Sequence, residues 1–169
     1  MIRAATANDA EAIARVHVQS WEESYRGVLP DATLDARPVA VRVMHWNDWL
    51  NRAGRWTLVN ETNGEIDGFT CAFRNDEEPG FDAVLATLYV LRSAQRRGIA
   101  RALLRELASE LLRAHVRSMW LLTLRDRNPA RGFYERIGAE LLREEPAPPG
   151  LGEGVMDAVY GFRDVAILC

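Results

Sequence analysis

Between Val84 and Leu91 apolar residues fill both alternating sets of positions, the pattern of a strand buried on both faces. The chain then turns polar at Gln95-Arg96-Arg97-Gly98. From Ile99 apolar residues return at helical spacing, with Ile99, Leu103, Leu107 and Leu111 on one stripe and Leu104 and Leu112 beside it. The prediction is a strand, a basic turn and a helix that starts at the glycine. Upstream, the pattern gives a short strand at Ile2 to Ala5, then a helix opened by Asn8 or Asp9 as cap, with Ala12, Val16 and Trp21 among its apolar positions. A second helix runs from Pro38 to Arg52. Strands are predicted next at Trp56 to Glu61 and Ile66 to Arg74, joined by Asn63-Gly64, a strong tight-hairpin signal. Downstream come a strand at Met119 to Leu124, a short helix from Pro129 to Arg136, and two strands near Leu141 and at Val155 to Gly161. A stiff Pro146-Ala147-Pro148-Pro149-Gly150 loop separates the last two.

The chain of 169 residues, 48% hydrophobic, suits one domain over residues 1–169 built around one core. Its start carries no apolar run behind a basic segment, and no stretch of about 18 apolar residues occurs, so a soluble, unexported, cytoplasmic protein with no membrane partner is expected. Cys71, within a predicted strand, and Cys169 make neither a metal nor a redox spacing, and no metal is expected. A net charge of −3 argues against a dedicated nucleic-acid surface, while the arginines between Arg92 and Arg136 form a local basic region.

That region lies where an anion would sit. The first amides of a helix lack intrahelical partners and carry the positive end of its dipole. Gly98 has no Cβ to stand between backbone and ligand, and Arg96, Arg97 and Arg101 add charge-assisted donors that suit a pyrophosphate. A P-loop is excluded because no Gly-Lys-Ser/Thr ending is present. The dinucleotide fingerprint is excluded because one glycine stands where that motif needs three.

Gln95-Arg96-Arg97-Gly98-Ile99-Ala100 resembles the Gln/Arg-x-x-Gly-x-Gly/Ala motif of the Gcn5-related N-acetyltransferases (GNAT), which bind acetyl-coenzyme A. About thirty residues downstream, Asn128-Pro129-Ala130-Arg131-Gly132-Phe133-Tyr134-Glu135-Arg136-Ile137-Gly138-Ala139 resembles the family's Asn…Phe-Tyr-Glu-x-x-Gly segment. The stretch from Ala14 to Pro30, with Trp21 and Tyr25-Arg26-Gly27, resembles a common bacterial branch of the family. The resemblance implies an α/β (α+β) acyl-CoA N-acyltransferase fold, a mixed, mainly antiparallel twisted sheet of about seven strands with about four helices on both faces. It implies acetyl transfer from acetyl-CoA to a primary amine of a small molecule or peptide by direct attack in a ternary complex.

It also implies roles at matching positions. Leu88, Tyr89 and Val90 would line the pantetheine arm, and the amide of Val90 or Leu91 would face the thioester oxygen. Gln95, Arg96, Arg97, Gly98, Ile99, Ala100 and Arg101 would hold the pyrophosphate, with Asn128 on the pantetheine and Arg131 a further phosphate or adenine contact. Tyr134 would be the general acid toward the departing thiolate, since a phenol with a pKa near 10 stays protonated at neutral pH. The base is open. Many relatives place a glutamate where this chain has Val84, so Asp82 acting through water is the first candidate, with Glu22, Glu23 and His17 as others. Trp21 with Tyr25, one helical turn apart, and Trp46 and Trp49 are candidates for an acceptor pocket favouring a small or partly apolar amine. Two other readings stay open, a non-catalytic acyl-CoA-binding module and an acyltransferase with a different donor. A homodimer through the apolar Val155 to Ile167 segment is a further expectation.

Overall fold

The computed structural model describes residues 1–126 and 129–169. Seven strands form one sheet in the order β1-β2-β3-β4-β5-β7-β6: β1 (Ile2–Ala4), β2 (Arg55–Thr62), β3 (Glu65–Arg74), β4 (Ala83–Val90), β5 (Met119–Leu124), β6 (Glu140–Pro146) and β7 (Met156–Phe162). Every pairing is antiparallel except β4 with β5, in keeping with the mixed, mainly antiparallel expectation. The helices are α1 (Ala10–Tyr25), α2 (Asp31–Asp35), α3 (Val39–Leu50), α4 (Ile99–Arg113) and α5 (Ala130–Arg136). The single-turn α2 is the helix that periodicity did not reveal, since five residues are too few to display a 3.6-residue repeat.

The Asn63-Gly64 hairpin forms as predicted, with φ of 53° and 84° at its two residues, the left-handed backbone that this turn demands. The predicted stripe of α4 buries Leu103, Leu104, Leu107 and Leu111 completely, against Leu85, Leu121 and Tyr160 of the sheet. Each contributes about 1.5–3 kcal/mol relative to exposure. On the opposite face α1 and α3 cover Val59, Phe69 and Cys71 through Ile13, Val16 and Trp46. Trp46 is therefore a core residue, and Trp49 packs beside it under the Arg55 guanidinium, 3.6 Å from the ring centroid.

Two features open the middle of the sheet. The parallel ladder between β4 and β5 covers only Ala83–Leu85 and Met119–Leu121, so the strands part beyond it. At the same place the β3–β4 register shifts, Cys71 facing Thr87 while Ala72 faces Leu85, which leaves Ala86 as an extra residue that bends β4 away. Gly68 sits opposite Val90 on β3, where an added Cβ would come within 3.1 Å of the Val90 side chain and 3.2 Å of the Tyr89 carbonyl oxygen. The free end of β4 is thus seated on a glycine.

The expected pairing segment, Val155 to Ile167, is occupied within the chain. β7 lies between β5 and β6, and its residues from Asp157 to Phe162 are buried, so the strand at this edge of the sheet is β6. Among the described residues no helix is long and apolar enough to cross a membrane.

Candidate active site

Where β4 and β5 diverge, a cleft of about 690 Å³ opens between the β4 segment Leu85–Val90 and Leu122–Leu124 of β5. The start of α4 and the turn before it close one end. Tyr25, Ser20 and Glu23 of α1 form one wall, and Phe133 and Tyr134 of α5 another. Most residues nominated from the sequence meet here: Leu88, Tyr89, Val90, Gln95, Arg96, Gly98, Ile99, Ala100, Arg101, Tyr134 and Tyr25 all line it.

The polar character of the cleft begins with backbone. Leu91 N–H donates to the Asp67 carbonyl, 2.9 Å, on the β3 side. In an antiparallel ladder alternate residues bond to opposite sides, so Leu88 and Val90 direct their N–H and C=O groups away from β3, toward the gap that β5 has vacated. Of the two amides considered for the oxyanion, Leu91 is therefore committed to the sheet and Val90 faces the cleft. The Val90 carbonyl is already used, accepting a hydrogen bond from Gln95 Nε2 at 3.0 Å. Gln95 thus acts as a brace between turn and strand.

The turn itself alternates in handedness, with φ of +62° at Arg96 and +80° at Gly98 and an ordinary Arg97 between them. Such alternation gathers successive N–H groups into a concavity that suits anions. Gly98 is the N-cap of α4 and has no side-chain cap; Ala102 N–H is the first to bond back into the helix, at 3.0 Å to the Gly98 carbonyl, leaving the amides of Ile99, Ala100 and Arg101 ahead of the ladder. A Cβ on Gly98 would meet nothing within 4 Å, so the glycine is required by its left-handed backbone and by whatever approaches the open space in front of it.

Tyr134 is buried in the α5 wall, edge-on to Phe133 and tilted against Tyr160 at centroid distances of 5.4 and 6.4 Å. Burial pushes its phenol pKa up. Burial therefore keeps the phenol protonated near neutrality, the state in which it can donate to a departing thiolate.

Other nominated residues are placed elsewhere. Asp82 precedes β4 at the end remote from the gap; its carboxylate accepts from the Arg117 and Ser118 amides at 2.8 and 3.0 Å, which lowers its pKa and leaves it outside the cleft. Arg131 is consumed by scaffold contacts, donating to the Tyr160 hydroxyl at 3.1 Å and the Arg125 carbonyl at 3.2 Å and pairing with Glu144. It is not a phosphate contact in this arrangement. Arg97 is exposed and does not line the cleft. Val84 is buried with Phe81, Trp120 and Val159. Asn128 lies outside the described residues.

Among the remaining base candidates, Glu22 pairs with Arg26 at 2.6 Å, while Glu23 lines the cleft with its carboxylate accepting from the Arg92 amide at 2.8 Å. His17 is buried behind Tyr89, stacked on its ring at 5.2 Å, and accepts a hydrogen bond from Trp46 Nε1 at 3.2 Å. Desolvation, with Arg42 next, depresses its pKa to about 3, so it is a neutral acceptor and not a proton carrier. Trp21 is also behind the wall and not in it: its Nε1–H donates to the Tyr89 hydroxyl at 2.8 Å, and its ring meets Tyr25 edge-on at 5.1 Å.

Two further groups carry no local sequence signal. Ser20 Oγ is buried in the α1 wall without a hydrogen-bond partner among the described residues. Asp157 of β7 stands opposite Leu124 in the ladder and shares its sheet face; it is 5% exposed, and it lies close enough to Tyr25 to influence that phenol. Burial, and secondarily the charge of Glu145, push its carboxyl pKa up. A lone aspartate in a strand near Pro and Gly reads as a surface charge, and only the β5–β7 pairing reveals its position.

A sheet parted between its two parallel strands, backbone donors in the gap and a helix N-terminus at its end define an acyl-coenzyme A transferase architecture. The family model of the acetyltransferase (GNAT) family matches residues 15–139. The chain is 30% identical over 148 residues to the Uncharacterized N-acetyltransferase YuaI of Bacillus subtilis, covering 85% of this chain and 82% of that protein. It belongs to the GNAT family, the acetyl-CoA-dependent N-acyltransferases. The fold resembles the PaiA N-acetyltransferase of Thermoplasma acidophilum in complex with coenzyme A, with a TM-score of 0.75 at 16% identity over 95% of this chain and 96% of that one. It also resembles yncA of Salmonella typhimurium with acetyl-CoA, with a TM-score of 0.73 at 19% identity over 96% and 92% of the two chains.

Proposed function

We propose that this chain transfers an acetyl group from acetyl-CoA to a primary amine by direct attack within a ternary complex. The observation that carries the reading is the gap between β4 and β5, with the Leu88 groups and the Val90 amide turned toward it and the amides of Ile99, Ala100 and Arg101 at its end. The α4 amides and Arg96 and Arg101 hold the pyrophosphate. Leu88 bonds the pantetheine arm as a missing strand would. The Val90 amide receives the thioester oxygen as the amine nitrogen attacks the carbonyl carbon, an interaction worth roughly 3 kcal/mol when preorganised. As the carbon–sulfur bond breaks, Tyr134 gives its proton to the thiolate and regains one from solvent. The amine loses its proton through water to Asp157, which pairs with the cleft-lining Leu124, lies near Tyr25 and has a raised pKa that suits a base.

Three features favour turnover over a silent binding module: Tyr134 on the cleft wall, a Ser20 hydroxyl without a partner among the described residues, and Asp157 where Val84 supplies no carboxylate. The test is calorimetric titration with acetyl-CoA, coenzyme A and ATP, and then an amine screen monitored by thiol release. Micromolar binding of both coenzyme A species, weak ATP binding and amine-dependent release are expected. Binding without release from any amine leaves the module reading in place, and absence of binding overturns both.

A further inference from the structure

The two ends of β4 aim their backbone differently. The N–H of Ala83 donates to the Ser118 carbonyl at 3.1 Å, on the β5 side, whereas that of Leu91 donates to Asp67, on the β3 side. Ala83 and Leu91 fall on the same set of alternate positions, which in an unbroken strand point their amides to one side. The change of side occurs at the register shift of the β3–β4 ladder, where Cys71 faces Thr87, Ala72 faces Leu85 and Ala86 is the extra residue. Without it Thr87, Tyr89 and Leu91 would present their amides to the gap; with it Leu88 and Val90 do. The geometry around Ala86 therefore decides which amide can meet a thioester oxygen.

Thr87, the first residue past the shift, is held from both faces of the sheet. On the α4 face, Thr70 Oγ1 donates to the Thr87 carbonyl oxygen at 2.9 Å. On the α1 face, Cys71 Sγ lies 3.0 Å from Thr87 Oγ1. Thr70 is completely buried, opposite Leu58 on β2 and Leu88 on β4. A valine of nearly the same volume would suit that apolar layer, so the hydroxyl is explained by the carbonyl it bonds.

The Thr87 carbonyl shares its planar peptide unit with the Leu88 N–H, so holding the one toward β3 turns the other toward the gap. The free edge runs on to Val90, where Gln95 on the Val90 carbonyl and Asp67 on the Leu91 amide fix it again. We propose that Thr70 is a positioning residue for acetyl transfer: by holding the Thr87 carbonyl it sets the twist of β4 beyond the shift and aims the Val90 amide at the thioester oxygen. This rests on the acetyltransferase reading and adds to it a residue that touches neither donor nor acceptor.

The experiment binds acetyl-CoA labelled with carbon-13 at the thioester carbonyl to the wild-type chain and to Thr70→Val, Thr70→Ala and Thr70→Ser, and reads the carbonyl stretch by difference infrared spectroscopy. A hydrogen bond to the carbonyl lowers that frequency. The band should therefore move up in Thr70→Val and Thr70→Ala and return toward the wild-type position in Thr70→Ser, which keeps the donor. By thiol release, kcat should fall about tenfold in the first two variants, part of the effect of losing an oxyanion donor outright, with acetyl-CoA affinity within about twofold of wild type. Val59→Ala, a truncation of a completely buried β2 residue, should lower the melting temperature without moving the band, which separates aim from stability. A wild-type band or a wild-type kcat in both Thr70→Val and Thr70→Ala overturns the positioning role alone, as does an equal band shift in Val59→Ala. Binding without turnover of any amine overturns the acetyltransferase reading, while the band, which needs no acceptor, still decides whether Thr70 aims the amide. A wild-type chain that does not bind acetyl-CoA overturns both.

Discussion

The two ends of the cleft are built from different materials. At the α4 end the chemistry is main chain: the left-handed Arg96 and Gly98, the first amides of α4, and the Leu88 and Val90 groups turned from β3. At the α1 end it is side chain: Tyr25 with Trp21 and Tyr89 packed around it, the neutral His17 behind them and the buried Asp157. A backbone site needs a conformation, which many sequences can supply but which a few residue types, glycine above all, must enforce. A side-chain site can be rewritten one residue at a time without moving the strands. The donor end is therefore suited to one ligand, and the acceptor end to whatever amine its side chains select.

The division between the ends is strained most at their junction, where Tyr134 belongs to neither alone. Tyr134→Phe should lower kcat about a hundredfold at unchanged acetyl-CoA affinity, the scale of lost general acid catalysis. Equal turnover in the two proteins, measured by thiol release, removes Tyr134 from the chemistry. At the donor end, Gly98→Val forces a β-branched residue to φ +80°, a cost of about 1–2 kcal/mol, and thrusts a side chain into the space before the α4 amides. Acetyl-CoA affinity should fall at least about tenfold by calorimetry with the amine KM little changed. At the acceptor end, Asp157→Asn should cost about tenfold in kcat at neutral pH, with donor affinity intact and the loss smaller for amines of low pKa. An unchanged rate across amines of every basicity would show that the proton leaves by another route.

These regions also differ in how far the sequence reveals them. The strand Val84 to Leu91, the turn and α4 are contiguous, so a period-two run, a glycine and a 3.6-residue stripe describe the donor end almost as the structure builds it. What contiguity hides is which amide is free: Leu91 and Val90 are neighbours in sequence, and only pairing with Asp67 separates their roles. The α1 end of the cleft joins α1, β4 and β7, and no local pattern marks Asp157. Asp82 illustrates the opposite error. It shares a strand register with the cleft residues but lies at the wrong end of β4, where the Arg117 and Ser118 amides claim its carboxylate. Arg131 sits within a motif-like segment, yet the Tyr160 hydroxyl and Glu144 hold it in the scaffold.

The smallest effect separates the ends by stability instead of rate. His17 is neutral when folded, with its pKa depressed from the ordinary 6.5 to about 3 by burial first and Arg42 next. Below about pH 6.5 the unfolded chain takes up a proton that the folded one refuses, so His17 leaves stability intact above that pH and withdraws it progressively as pH falls toward 3. Asp9, held well below the usual carboxylate range by Arg3, has the same sign but acts only below its ordinary value near 3.8. Between about pH 6.5 and pH 4, Asp157, raised by burial, acts with the opposite sign, and Glu78, lowered by Arg143, adds to the loss near the lower end, so the His17 share is read as the difference between a variant and the wild-type chain. His17→Gln keeps an oxygen acceptor for Trp46 Nε1 and removes the titration, so its melting temperature should decline less over that interval than that of the wild-type chain. Donor affinity should be unchanged in the variant, because the phosphate turn shares no contact with His17. Parallel decline in the two proteins would mean that the buried ring is not what makes the α1 face sensitive to acid.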